Sequence, residues 1–353
     1  MNRIYATIIG LIVAVSSWAQ SSGLTPELEK AVEQQRYLRL MFYNCENFFD
    51  TDDDPLTRDE EFTPEGERHW NKKRYNEKQD HVSQVVAAIG GWQAPDIIGL
   101  CEIESRKVIL DLTLDSKLYV FEYKFLHKES PDSRGIDVAL LYQPKSYTPI
   151  KTEFIPVHYP NSSRSTRDIL FSTGTTRNGD TLHIFVNHWP SRWGGQSETD
   201  ELRCYVASIV RHKVDSLVTA NSRSNIIIMG DLNDYPNNNS VCSVLKAKTE
   251  FSNFEQTELY NLAYYQQFVK MQGTHKYDGM WGVLDQMIIS GSLLDGNGPL
   301  YTSKDDAHIF NAPFLLENDD THIGYKPFRT YNGYQYNGGF SDHLPVFINI
   351  YRK

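Results

Sequence analysis

Carboxylates, amides and imidazoles interrupt the apolar runs of this chain at recurring places. "MFYN" ends on Asn44, "DIIGLCE" on Glu102, and "HIFVNH" on Asn187 and His188. "NIIIMGDLN" runs into Asp231 and Asn233, "WGVLD" holds Asp285, and "SDH" supplies Asp342 and His343 before the apolar "LPVFINIY". Taken singly, each has a plain use. Asn44 and Asp231 suit turns, Glu102 a strand end, and His188 a satisfied core position. Asp285, read as mid-strand, is odder, because a lone buried carboxylate is costly. Burying all of them unpaired would cost roughly several kcal/mol per group. Convergence on one cleft removes that cost, since there they satisfy one another, a metal ion and a substrate.

The residue types narrow the chemistry. Carboxylate and amide oxygens without thiolates suit a hard cation: Mg²⁺, Mn²⁺ or Ca²⁺. Two histidines among carboxylates suit proton transfer and charge stabilisation at neutral pH. The sequence has no Gly-x-Ser-x-Gly elbow, phosphate-binding P-loop or dinucleotide glycine fingerprint. This combination points to metal-assisted hydrolysis, with phosphate esters the natural substrates. Arg134 in "SRGIDVALLY" and Arg192 in "HWPSRWGG" stand on loops at strand ends. There a guanidinium can grip phosphate with two parallel hydrogen bonds, or simply face solvent.

The elements that must position these groups are mostly strands. "LRLMFYNCENFFD", "PDIIGLCEIE", "FEYKFLH", "IDVALLYQ", "DILFSTGTT", "TLHIFVNHW", "NIIIMGDLND", "WGVLDQMIIS" and "LPVFINIY" all read as strands. Helices are expected over "TPELEKAVEQQRY", "KRYNEKQDHVSQVVAAIGGW" and "DELRCYVASIVRHKVDSLVTA". The excess of strands predicts an α/β fold of two mixed sheets packed face to face with helices outside. No repeat or low-complexity linker divides the chain, so residues 20–353 are expected to form one domain. Residues 291–340, rich in Gly, Asn and Tyr, read as irregular.

Residues 1–19 read as a secretory signal peptide: Arg3, an apolar run, then small residues ending at Ala19. This predicts export to the periplasm or beyond, with no obligate membrane insertion. Its removal takes the net charge from −10 to −11, because Arg3 is its one charged side chain. That acidity argues against a broad basic face for nucleic acid but not against phosphodiester substrates, since a bound cation reverses the local field. Export leaves a Cys204–Cys242 disulfide open. No clear apolar hairpin for dipping into a lipid surface stands out, "AHIFNAPFLLEN" being the mildest candidate.

"FYNCENFFD", "GLCEIE", "RGIDVALLY", "VNHWPSRWGG", "MGDLND", "LDQMIIS" and "GGFSDHLPV", in that order, resemble the endonuclease/exonuclease/phosphatase superfamily, and most closely its exported bacterial nuclease branch. The resemblance spans about residues 38–351. It implies a DNase-like four-layer α/β sandwich with the site at one edge of both sheets. It implies Glu102 as metal ligand, Asn44 beside it at metal or phosphate, and Asp342 joining the metal shell. Asp231 would orient or deprotonate the attacking water, and Asn233 would hold the phosphate. His343, oriented by Asp285, and His188 would face the scissile phosphate. Arg134 and Arg192 would be further phosphate contacts.

The leading expectation is a monomeric, Mg²⁺- or Mn²⁺-dependent phosphodiesterase acting on nucleic acid, with no protein partner. Hydrolysis of a sphingolipid headgroup or of a sugar or inositol phosphate is the alternative. A binding protein that has lost catalysis fits less well with a complete set of site residues.

Overall fold

Apolar alternation decides which face each strand buries, and two sheets result. The computed structural model describes residues 37–353, apart from Trp92 and residues 161–163. The signal-peptide reading of 1–19 and the helix expected from Thr25 lie outside the described residues. The first sheet contains β1 (Leu38–Phe48), β2 (Ile97–Ile103), β3 (Lys124–His127), β4 (Asp137–Tyr142) and the C-terminal strand Val346–Arg352. Its order is Leu300–Tyr301, Val346–Arg352, β1, β2, β4, β3, and Ala307–Ile309 also pairs with Val346–Arg352. The second contains β5 (Tyr147–Ile155), β6 (Ile169–Thr176), β7 (Thr181–His188) and β8 (Ile226–Asp231). It continues through Asp285–Ser290, Leu259–Asn261 and Ala247–Lys248. Both sheets are mixed and seven-stranded.

The inner faces meet closely. A Cβ at Gly99 of β2 would lie 2.8 Å from Met229 Sδ of β8 and 3.2 Å from Val186 of β7. A larger residue there would wedge the sheets apart, at a typical cost of about 1–3 kcal/mol for overpacking. Helix α1 (Lys72–Gly90) packs on β1. Asn71 caps it, its side chain accepting from the Lys73 and Arg74 amides, and Gly91 ends it at φ 60°. Helix α2 (Gln196–Ala220) covers the outer face of the second sheet. Its Val206, Ala207, Val210 and Val214 cluster with Phe171, Phe185, Ile226 and Ile228. Burial of each valine, isoleucine or phenylalanine in this cluster contributes about 1.5–3 kcal/mol. The layers are therefore helix, sheet, sheet, helix.

Strand direction gathers the polar ends. β1 and β2 run parallel, as do β7 and β8, so Asn44, Glu102, His188 and Asp231 sit at or near C-terminal ends. Asp285–Ser290 and Val346–Arg352 run antiparallel to β8 and β1, so their starting ends reach the same edges. Asp231 pairs in register with His188 on one side and Asp285 on the other.

Some expectations need correction. Asp285 opens its strand rather than lying within it, and Trp281–Gly282 belongs to a hairpin of His275–Tyr277 with Met280–Gly282. α2 starts at Gln196, ahead of the Asp200 read from sequence. The irregular 291–340 segment holds edge strands of the first sheet and two small hairpins. All four cysteines are free, and Cys204 Sγ accepts from Asn239 Nδ2 at 3.3 Å. Among the described residues no helix is long and apolar enough to cross a membrane.

Candidate active site

The backbone departs from regular strand geometry where the polar groups emerge. The β1–β2 register shifts between Asn44 and Phe48, and Glu46 and Asn47 have φ of 49° and 53°. The β2–β4 register shifts between Cys101 and Ile103, around Glu102 at φ 58°. Asn233, just past β8, has φ 51°. Non-glycine residues in this left-handed region carry strain of about 1–3 kcal/mol each, and such strain collects at functional sites. The bulges re-aim the Glu46 and Glu102 carboxylates out of the regular alternation.

Asp231 is the hub. Its Oδ1 accepts from the Asn233 amide at 2.9 Å, and its Oδ2 accepts from Asn44 Nδ2 at 3.1 Å across the sheets. Asn44 Oδ1 in turn accepts from the Glu46 amide at 2.9 Å. His188 Nε2 and His343 Nε2 each stand 3.8 Å from Asp231 Oδ2. His343 Nδ1 lies 2.7 Å from Asp285 Oδ2. The His275 ring lies against that of His343, centroids 4.8 Å apart. Glu102 Oε2 accepts from the Asn47 amide at 2.8 Å, while its Oε1 faces His188 Nε2 at 3.8 Å. Arg167 holds the loop beyond β7. Its Nε donates to the His188 carbonyl at 3.2 Å, Nη2 to the Trp189 carbonyl at 2.6 Å, and Nη1 to Asp132 at 3.0 Å.

These neighbours set the charges. Burial works against a charged His343, but Asp285 and Asp231 outweigh it and raise its pKa well above the ordinary imidazole range. His188 is pushed well below that range by burial, with Arg167 and Arg134 adding to the effect. Burial also lowers His275 to about 4, helped by His343. Asp231 is raised to about 6 by burial, with His343 opposing the shift. Burial opposes an ionised Asp342 as well, yet Arg329, His343, His275 and Lys78 hold it at about 2.

The site residues expected from sequence do not all do what was expected. Asn44, Glu102, His188, Asp231, Asp285 and His343 come together, and Asn233 orders the loop, its Nδ2 donating to the Trp189 carbonyl at 3.0 Å. Asn44 therefore orients Asp231 with its amide. Asp342 pairs with Arg329 Nη2 at 2.9 Å. Arg192 is not a free phosphate contact. Its Nε donates to the Asn233 carbonyl at 2.7 Å, its Nη2 to Asn238 Oδ1 at 2.9 Å, and its guanidinium lies 4.2 Å from the Tyr235 ring centre. Arg134 stands on a cavity wall near Asp132, with its Nε 3.7 Å from Asp132 Oδ1.

Sequence reasoning passed over Glu46, Arg329, His275 and Arg167. Glu46 binds Arg329 Nε at 3.2 Å and the Thr330 amide at 2.7 Å, which ties the illegible C-terminal segment to β1. A signal for Glu46 existed, since it follows Asn44 by two in a strand pattern. Arg167, just before the apolar "ILF", had the same kind of signal.

Among the described residues, two groups have the spacing to hold a metal ion: His275, Asp342 and His343, and Asp231, Asp285 and His343, with ligand atoms within 4.8 Å of one another. Asp285 Oδ1 is buried without a hydrogen-bond partner among the described residues. Oxygen and imidazole donors with an orphaned carboxylate oxygen fit a hard divalent cation. Of the expected ligands, Asp342 falls in one of these groups, whereas Glu102 faces His188 across the cleft.

Residues 39–352 match the model of the "Endonuclease/Exonuclease/phosphatase family". The chain belongs to the endonuclease/exonuclease/phosphatase family. Solved structures resemble this family member in fold. An endonuclease/exonuclease/phosphatase family protein from Bacteroides thetaiotaomicron is 13% identical with TM-score 0.56, covering 90% of this chain and 95% of that one. Truncated Caenorhabditis elegans TDP2 is 18% identical with TM-score 0.53, covering 90% and 97%. The human Nocturnin catalytic domain with bound sulfate is 15% identical with TM-score 0.53, covering 90% and 96%. No curated protein sequence matches.

Proposed function

We propose that this family member is a divalent-metal-dependent phosphodiesterase that cleaves nucleic-acid strands outside the cytoplasm. The observation that carries the reading is the convergence of two imidazole Nε2 atoms on Asp231 Oδ2, each at 3.8 Å, with opposite protonation preferences. Asp231, ionised at neutral pH, takes a proton from the attacking water, held in aim by Asn44 and the Asn233 amide. His343, kept protonated by Asp285, faces the phosphoryl oxygens and supplies a proton toward the leaving oxygen. His188, kept neutral, is the hydrogen-bonding partner on the opposite side. With His343 protonated, the Glu102 and Asp342 carboxylates are the groups that would hold Mg²⁺ or Mn²⁺, with Ca²⁺ a third option. Such an ion, when bound, neutralises charge on the phosphoryl oxygens.

A second reading has one observation in its favour. The hairpin rooted at His275 carries exposed Tyr277 and Met280, and Ile323 and Tyr325 are exposed on the segments near it. This apolar tip, not "AHIFNAPFLLEN", would suit a lipid surface and a sphingolipid headgroup substrate. One panel separates the readings: bis-p-nitrophenyl phosphate, single-stranded DNA, RNA, inositol phosphates and sphingomyelin vesicles, each with Mg²⁺, with Mn²⁺, and with EDTA. The nuclease reading expects turnover of the simple diester and of strands, lost in EDTA and restored by metal. Undiminished turnover in excess EDTA would remove the metal from the mechanism. The export reading rests on residues 1–19, and a secreted product starting at Gln20 is its expected mark.

A further inference from the structure

We propose that Trp193, with the arginine-lined cavities on either side of it, binds a single nucleic-acid strand and stacks an unpaired base beside the scissile phosphate. The proposal rests on the phosphodiesterase reading and names its substrate class. Trp193 follows His188 on the loop into α2 and is 90% exposed, the most exposed aromatic side chain among the described residues. An indole in water is unusual, because tryptophan is normally among the most buried side chains.

The loop that presents it is held firmly. Arg192 ties it to the Asn233 carbonyl and Asn238, and the Gly195 amide closes back on the Arg192 carbonyl at 2.9 Å. Gly194 and Gly195, at φ 91° and 120°, make the turn that side-chain-bearing residues resist. Trp193 is thus fixed to the same segment that follows catalytic Asp231.

Trp193 lines both of two neighbouring cavities. One, of about 960 Å³, has Arg58, Arg134 and Arg164 on its walls. The other, of about 620 Å³, has Arg68 and Arg329. Each cavity reaches the proposed catalytic groups through one lining residue. Arg167 in the first cavity binds the His188 carbonyl, and Asn47 in the second donates its amide to Glu102. Of the acids on these walls, Asp132 pairs with Arg167 and stands 3.7 Å from Arg134, and Glu46 pairs with Arg329, leaving Glu198 at the first. On a chain of net charge −10, the first cavity is a local reversal of sign, whereas in the second Arg68 pairs with Glu61 at 3.1 Å and Arg329 also with Asp342 at 2.9 Å.

A ligand for such a surface alternates phosphates with flat rings, as a polynucleotide does. Inositol phosphates lack the flat face. A choline headgroup could stack on indole, but its positive charge would meet the arginines. In a duplex the base is already paired and stacked, so an unpaired strand fits better.

The test uses the full chain with Mg²⁺ and a fluorescein-labelled, phosphorothioate-linked dT12, read by anisotropy. Trp193→Ala should weaken binding by about five- to a hundredfold, the range of one lost base stack. Trp193→Phe should recover most of the affinity, and Tyr119→Ala, another exposed aromatic, should match wild type. Arg134→Gln should weaken binding and flatten its salt dependence. A Trp193→Ala protein that melts like wild type and binds dT12 equally well would overturn the proposal. So would wild-type binding to sphingomyelin vesicles but not to dT12. Wild-type turnover of bis-p-nitrophenyl phosphate tests the underlying reading separately. If that turnover is absent while dT12 binding still depends on Trp193, the strand site stands and the hydrolase reading falls.

Discussion

His188 and His343 face one carboxylate oxygen from the same 3.8 Å, and their surroundings push their protonation in opposite directions. Asp285, Asp231 and Asp342 favour a charged His343; His188 has Asp231 and Glu102 each at 3.8 Å, but burial, Arg167, Arg134 and His343 work against its protonation. Burial alone would discharge both rings. At His343 the acids outweigh burial and at His188 they do not, so two identical side chains are driven toward opposite charge states. The charge preference of each histidine is thus written less in its own motif than in the charges its neighbours bring.

The sharpest way to break this comparison is to remove what the two share. Asp231→Asn leaves both imidazoles without their common carboxylate charge, and kcat on a phosphodiester should fall about 10³-fold, within the usual range for acid–base groups. Steady-state kinetics with a circular dichroism control would show it, and a loss below tenfold would contradict the base assignment. Next, Asp285→Asn makes the surroundings of His343 resemble those of His188. A drop in kcat of about 10²-fold is expected, together with a lower His343 pKa by NMR; a changed rate without a changed pKa would mean Asp285 acts otherwise.

pH offers a milder probe. Asp231 must be ionised to accept a proton, and its pKa lies at about 6. kcat/KM should therefore fall as pH drops through 6, by about tenfold at pH 5. A profile flat down to pH 4.5 would exclude it as base. The smallest effect is expected from Arg167→Met, which removes a cation beside His188. The pKa of His188 should rise and kcat should fall only severalfold, as judged by NMR and kinetics together.

Much of the site was legible because sheets convert apolar periodicity into position. Asn44, Glu102, His188 and Asp231 follow apolar runs at the ends of parallel pairs, while Asp285 and His343 precede runs in antiparallel strands. Arg329 and His275 were illegible, because they enter from short hairpins and loops whose partners lie far along the chain. Arg329 meets Glu46 only after the C-terminal segment folds back on β1. The sequence placed Arg192 on a loop correctly, but nothing local reveals that Asn233, Asn238 and Tyr235 lie within its reach. The bulge at Glu102 was equally hidden, since a left-handed glutamate has no sequence signature.

The most direct test of the account is ¹⁵N NMR of the two histidine side chains in metal-free protein at pH 7, assigned with His188→Gln and His343→Gln. The account predicts that His343 is protonated on both ring nitrogens while His188 is neutral. Two neutral rings, or a protonated His188 beside a neutral His343, would contradict it.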